Sequence, residues 1–240
     1  MKNHPPVGEV EGKKEQIEAM FDAIAPRYDL LNRVLSLGID QRWRKKAVNL
    51  LRAEHPERIL DVATGTADLA IQALTLDPKK VVGVDIAEEM LNLGREKIEK
   101  LGLSDRIVLQ RGDAEKLPFS DRQFDAVLVA FGVRNFQHLD RGLSEIRRVL
   151  KPGGSLVVLE FSKPRAFPIK QAYAFYSRFI LPQVGRTVSK NEGAYHYLPA
   201  SVASFPDGDD FLEHMRAVGY HHLVCEPLTF GIASLYKGQA

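Results

Sequence analysis

The chain has 240 residues, and its 33 Lys and Arg nearly balance 31 Asp and Glu, leaving a formal net charge of +2. That length suits one large α/β domain with a sizeable core, and the charge balance excludes a broad nucleic-acid-binding surface, although Arg42 to Lys46 form a local basic cluster. A single cysteine, Cys225, excludes an internal disulfide and a cysteine-based zinc cluster, and no metal is expected.

Residues 1–14 are polar, carry Pro5 and Pro6, and read as a disordered tail without a signal peptide. Residues 15–240 read as one domain. Its first part, 15–55, is a helical cap: Ile17, Phe21, Ile24, Tyr28, Leu31 and Leu35 recur at three- and four-residue spacing, and Pro26 must divide them into two helices. The core, 56–162, alternates strand-like runs at Arg58–Ala63, Lys80–Ile86, Arg106–Arg111, Phe124–Phe131 and Ser155–Phe161 with helical patterns at Thr66–Leu74, Ala87–Leu101 and Asp140–Leu150. Alternation of this kind predicts an α/β fold with a doubly wound, mostly parallel sheet. Lys151-Pro-Gly-Gly154 stops one helix and turns into the fifth strand. The last part, 163–240, holds an aromatic-rich helical segment at Phe167–Val188, a helix at Phe211–Val218, and a terminal strand pair at Tyr220–Glu226 and Thr229–Tyr236. No run reaches the roughly 18 apolar residues a membrane-spanning helix needs, so the protein is expected in the cytoplasm or peripheral at the inner face of a membrane.

Asp61-Val-Ala-Thr-Gly-Thr-Ala-Asp68 directly follows the first strand, and Val81-Val-Gly-Val-Asp85 ends in a second acid. A strand ending in an acid, a turn around Gly65 and a helix starting near Thr66 make a nucleoside site, with Asp85 placed for ribose hydroxyls. A pyrophosphate needs more glycine than this loop has: Ala63 and Ala67 stand where glycines are expected, and Asp68 in the first helical turn opposes phosphate and favours a cation. S-adenosylmethionine, an adenosine with a sulfonium and no phosphate, meets those demands. Asp113 follows the third strand, where it can accept from an adenine amino group while the backbone at Ala114 reads the ring edge. Each acid alone also suits a helix cap, and Thr66 divides evenly between N-cap and cofactor contact.

Phe131-Gly-Val-Arg-Asn135 follows the fourth strand, so Arg134 and Asn135 would project toward whatever accepts the methyl group, with His138 three residues on. Glu160 closes the fifth strand and needs a partner if buried, either Arg134 or Arg165. Tyr173, Phe175, Tyr176, Phe179, Ile180, Tyr195 and Tyr197 fit a core or the lining of a site for a lipophilic ring.

Tyr28-Asp-Leu-Leu-Asn32 with Leu35-Ser36 and Trp43, and the run Arg148-Val-Leu-Lys-Pro-Gly-Gly-Ser-Leu-Val-Val-Leu-Glu-Phe-Ser162, resemble the two long motifs of the ubiquinone/menaquinone biosynthesis C-methyltransferases, class I enzymes that use S-adenosylmethionine. Phe131-Gly-Val-Arg-Asn135, Tyr195-His-Tyr-Leu198, Phe205-Pro206 and Leu228-Thr-Phe-Gly231 are similar to further family segments. The chain departs from the pattern at Asp40, which replaces a histidine, at Ala67, which replaces a glycine, and in its Tyr236-Lys-Gly238 ending. The resemblance implies C-methylation of a polyprenylated hydroquinone, demethylmenaquinol to menaquinol first and the benzoquinol of ubiquinone biosynthesis second, with small-molecule O- or N-methylation as the alternative. It implies cofactor contacts at Thr66, Asp85, Asp113 and Ala114, and puts Ala130 where the family has a cofactor-contacting serine. Tyr28, Asp61 and Gly65 join the expected cofactor set, and Asn135, Tyr176, Tyr195 and Tyr197 the substrate set. Arg134 is the expected stabiliser of a developing phenolate, and the base is open among Glu160, His138, a tyrosine and water. The quinol is the expected partner, without nucleic acid, and the oligomeric state stays open between monomer and homodimer.

Overall fold

Pro26 decides how the chain begins. Its ring cannot sit inside a helix, so α1 (Lys13–Ile24) yields to one 3-10 turn over Ala25–Arg27, which leads into α2 (Tyr28–Leu35). The computed structural model describes residues 12–36, 38–176, 179 and 192–240. Most of the expected tail lies outside them, and α1 takes in its last two residues, Lys13 and Lys14. In α3 (Ile39–Asn49) Trp43, Ala47 and Val48 are buried.

Five strands run parallel: β1 (Arg58–Val62), β2 (Lys80–Asp85), β3 (Ile107–Arg111), β4 (Phe124–Ala130) and β5 (Leu150–Phe161). They are joined through α4 (Asp68–Ala73), α5 (Glu88–Lys100) and α6 (Leu139–Val149). After β5 come α7 (Ile169–Phe175), α8 (Glu192–Ser204), α9 (Asp209–Ala217), β6 (His221–Leu228) and β7 (Ala233–Gln239). The sheet order is β3-β2-β1-β4-β5-β7-β6, and β7 runs antiparallel to both of its neighbours.

Central strands are buried on both faces, which is why Ile59, Leu60 and Val62, or Val127, Leu128 and Val129, read as unbroken apolar runs. One face packs under α3, α4 and α5 through Trp43, Val48, Leu69, Leu91 and Ile98. The other packs under α6 and α9 through Leu143, Ile146, Phe211, Met215 and Tyr236. Strand order reverses between β1 and β4, so the loops after β1, β2 and β4 meet at the crevice where such sheets bind ligands.

Three departures from the sequence reading have local causes. The first crossover helix starts at Asp68 because Ala67 is left-handed, with φ of 68°. The last strand starts at Ala233 because residues 229–231 form a 3-10 turn with Phe230 at φ of 59°. A whole helix, α8, lies where none was expected, and it contains Pro199. Of the expected Phe167–Val188 helix, α7 covers the start; Ile180 and Val188 lie outside the described residues.

Candidate active site

The loop after β1 adopts the backbone that glycines would give it. Ala63, Gly65 and Ala67 have φ of 55°, 55° and 68°, so two alanines hold a conformation that L side chains rarely adopt. Two acids fix this turn. Asp85 at the end of β2 accepts the Gly65 N–H at 2.8 Å and the Ala87 N–H at 2.9 Å. Asp61 at the end of β1 is fully buried and accepts the Thr64 hydroxyl at 2.6 Å. Burial pushes the Asp61 carboxyl up to about 7, against the opposing pull of the Thr64 hydroxyl and Arg44. Its Oδ1 has no hydrogen-bond partner among the described residues.

A first cavity of about 90 Å³ opens above this turn, lined by Ala63, Gly65, Asp85, Met90, Asp113, Ala114, Ala130 and Asn135, with Tyr28 from α2 and Lys14 from α1. Three carboxylates, Asp85, Asp113 and Glu115, face it against one ammonium, Lys14. Such a lining repels a pyrophosphate and suits a cationic nucleoside, so the donor set fits S-adenosylmethionine. Lys14 Nζ lies 2.7 Å from Asp113 Oδ2 and 3.0 Å from Glu115 Oε2. Glu115 also takes the N–H groups of Gln137 and His138 at 2.7 and 3.0 Å, tying the loop after β3 to the loop after β4.

A second, larger cavity of about 410 Å³ adjoins the first, and Phe21, Tyr28 and Phe131 line both. Its walls are aromatic: Trp43, Phe131, Phe161, Tyr173, Tyr176 and Tyr197, closed by Ile169 and Phe230. Phe131 stacks on Phe161 with centroids 4.5 Å apart, and the guanidiniums of Arg44 and Arg134 lie over these two rings at 5.4 and 5.5 Å. Only two charged residues line the cavity among those described, Asp40 and Arg134. Arg134 Nη1 donates to the Phe131 carbonyl and, at 2.8 Å, to Glu160, which is fully buried. Burial pushes the Glu160 carboxyl up, and Arg134 opposes that shift. The Tyr197 hydroxyl donates to Asn135 Oδ1 at 2.9 Å, bridging the two cavities.

Tyr28, Gly65, Asp85, Asp113, Ala114 and Ala130 thus come together at the first cavity, and Arg134, Tyr176 and Tyr197 at the second, with Asn135 between. Four expected site residues fall elsewhere. Asp61 is buried beneath the loop. Thr66 is buried as well, and its hydroxyl is already given to Asp29 of α2 at 2.6 Å. Glu160 stands behind Arg134, settling its partner in favour of Arg134 over the exposed Arg165. His138 is the exposed residue preceding α6 and lines neither cavity. The Tyr195 side chain lies outside the described residues. Asp68 also differs from expectation: its cation is Lys97, at 2.7 Å, which holds Asp29 at the same distance.

Lys14, Asp29, Lys97 and the stacked phenylalanines went unnoticed in the sequence. Phe131 and Phe161 had a signal, since each immediately follows or ends a strand at the ligand-binding edge. Lys14 and Lys97 had none, because their partners lie 99 and 68 residues away.

A seven-stranded sheet of this order with a nucleoside-sized acidic crevice defines a class I methyltransferase fold, and comparison with known proteins agrees. The family model described as the ubiE/COQ5 methyltransferase family matches residues 9–240, and the chain belongs to that family. Demethylmenaquinone methyltransferase of Bacteroides fragilis is 51% identical over 228 residues, covering 94% of this chain and 93% of that one. Ubiquinone/menaquinone biosynthesis C-methyltransferase UbiE of Geobacter sulfurreducens is 47% identical, covering 95% and 89%. Among solved structures, a SAM-dependent methyltransferase of Thermotoga maritima superposes with a TM-score of 0.62 at 18% identity, covering 92% and 98%, which speaks for the fold. Family membership makes the chain an S-adenosylmethionine-dependent C-methyltransferase.

Proposed function

We propose that the chain methylates a ring carbon of a polyprenylated hydroquinone, with demethylmenaquinol as substrate and menaquinol as product. The observation that carries this reading is the shared wall: an acidic nucleoside crevice and a larger aromatic cavity meet at Phe21, Tyr28 and Phe131. A methyl donor in one and a planar ring in the other face each other across that junction, and such orientation is worth up to about 7–11 kcal/mol. Bound there, S-adenosylmethionine supplies an electrophilic methyl group.

The chain's own residues do the rest. Asp85 takes the ribose hydroxyls, Asp113 and the Ala114 backbone take the adenine edge, and Tyr28, Gly65 and Ala130 enclose the methionyl part. Asp61 and Thr66 act one step removed, by holding the loop. Arg134, kept in place by Glu160, faces the charge that develops on the ring oxygen, while Asn135, Tyr176 and Tyr197 position the ring. Residues 15–240 work as one unit in this scheme, cap and core contributing to both cavities. Phe230 of the cavity wall is exposed, as are Phe167 and Phe175 next to the cavity-lining residues of α7, with Lys170 on the same helix, so this edge rests on the membrane that holds the quinol. None of the described helices is long and apolar enough to cross one.

Incubation with labelled S-adenosylmethionine and a panel of demethylated naphthoquinols and benzoquinols, followed by mass-spectrometric location of the new methyl, tests the proposal. Methyl on a naphthoquinol ring carbon is expected. Methyl on oxygen, or only on a benzoquinol, refutes the assigned substrate.

A further inference from the structure

Asp40 is buried to 6% exposure on α3, yet it lines the aromatic cavity and is the only carboxylate among the described residues that does. Its two oxygens are treated unequally. Oδ1 accepts the Ser36 hydroxyl at 2.7 Å. Oδ2 lies 3.6 Å from Arg44 Nε, too far for a hydrogen bond, and Arg44 Nε has no hydrogen-bond partner among the described residues. A carboxylate in so buried a setting, with its cation beyond hydrogen-bond distance, is costly, and a hydroxyl in the cavity would lower that cost. The other charged group of the cavity, Arg134, is held through Glu160, and its guanidinium lies over Phe161. The cavity therefore offers both an acceptor and a cation. A ring hydroxyl of a hydroquinone can use both, its proton going to the acceptor and the charge left on its oxygen facing the cation.

We propose that Asp40 accepts one ring hydroxyl of the quinol and is the proton acceptor for its methylation, an inference that rests on the quinol reading above. The hydroxyl proton passes to Asp40 as the ring carbon beside it forms the new carbon–carbon bond, and the carbon–sulfur electron pair stays with sulfur. The methylated carbon then loses its own hydrogen to water as a proton. That restores the aromatic ring, and the ring oxygen recovers its proton from Asp40, so one proton is released per turnover. Ser36 positions the carboxylate by occupying Oδ1 and leaving Oδ2 toward the cavity.

Asp40→Asn keeps the shape and an acceptor for Ser36 but cannot take a proton. The expected result is a loss of about 10²–10⁴-fold in kcat with S-adenosylmethionine affinity unchanged. Formate added to Asp40→Ala should recover part of the rate, which a purely structural role would not allow. A second readout needs no turnover: a nitronaphthol, coloured when ionised, titrated on the protein alone. A carboxylate beside its hydroxyl disfavours the phenolate, so the ligand bound to the parent protein should keep its proton to a higher pH than on Asp40→Asn, by about one unit. If Asp40→Asn does not fold, Ser36→Ala serves, with a several-fold drop in kcat at unchanged cofactor affinity. Equal kcat and equal nitronaphthol titration in variant and parent overturn the role of Asp40 alone, whereas a parent protein that methylates no quinol overturns the substrate reading and this inference together.

Discussion

At the scale of single residues, the Arg134–Glu160 pair carries two duties that mutation can separate. Arg134 is nearly buried and Glu160 wholly so, which means that removing the guanidinium strands a carboxylate in the core. Arg134→Ala should therefore cost about 3–5 kcal/mol of stability in addition to activity. Arg134→Met combined with Glu160→Gln removes both charges; its melting temperature should return toward that of the parent while turnover stays lost. Recovery of turnover in the double variant would show that the cation has no part in the chemistry. Asp61 gives a pH signature. Its carboxyl keeps a proton up to about 7 in the folded protein but releases it at the ordinary 3.8 once unfolded. Between those values the folded state binds more protons, so this contribution is complete below about pH 4 and is lost as pH rises toward 7. Urea titrations across that range should show a stability decline of at most about 1.4 kcal/mol per pH unit from this group, absent in Asp61→Asn. The sequence made the residue types at this edge legible, because an acid at a strand end in a parallel sheet must arrive there. It left the roles of Asp61, Thr66 and Glu160 hidden, since a strand-end side chain can point at a ligand or beneath the loop without any change in the pattern.

Between elements, the N-terminal helices are fastened to the nucleoside loop by one small network. Asp29 of α2 accepts from Thr66 at 2.6 Å and from Lys97 of α5 at 2.7 Å, and Lys97 reaches Asp68 of α4. Asp29→Ala frees both of its partners, Thr66 and Lys97. A loss of about 1–3 kcal/mol is expected, with S-adenosylmethionine affinity falling further than stability alone requires, because Tyr28 beside it walls the cavity. Calorimetry at a temperature where the variant is folded measures the second effect; unchanged affinity would mean that α2 does not govern the site. The element pattern itself was readable: β-branched runs gave five parallel strands, and Pro26 gave the break between α1 and α2. Boundaries failed where Ala67 accepts positive φ, and α8 was missed because no helical pattern was read over 192–204; tertiary packing supports the helix, with Val202 and Phe205 buried at its end.

Across the whole molecule, the aromatic cavity draws its walls from the cap, the loop after β4, the end of β5, α7, α8 and the turn between β6 and β7, far apart in the chain. That dispersal kept the cavity invisible in sequence, where only a concentration of aromatics after the core could be seen. It also allows a length test. Tyr176 lines the cavity from the residue after α7, so Tyr176→Gln should raise KM for a long-tailed quinol by about tenfold and leave a tailless analogue within twofold. Equal losses on both, with a lowered melting temperature, would make Tyr176 a packing residue.

The contact between Lys14 and Asp113 has a further meaning for the molecule as a receptor. α1 brings its own ammonium onto one of the acids that the nucleoside crevice offers a guest. A molecule that engages Asp113 shares its Oδ2 with Lys14, and the protein thus contains a tethered competitor for part of its own binding site. An affinity measured for the guest is then a difference between two occupancies of one carboxylate, and replacing the ammonium, as in Lys14→Met, would sharpen binding without touching a single residue of the sheet.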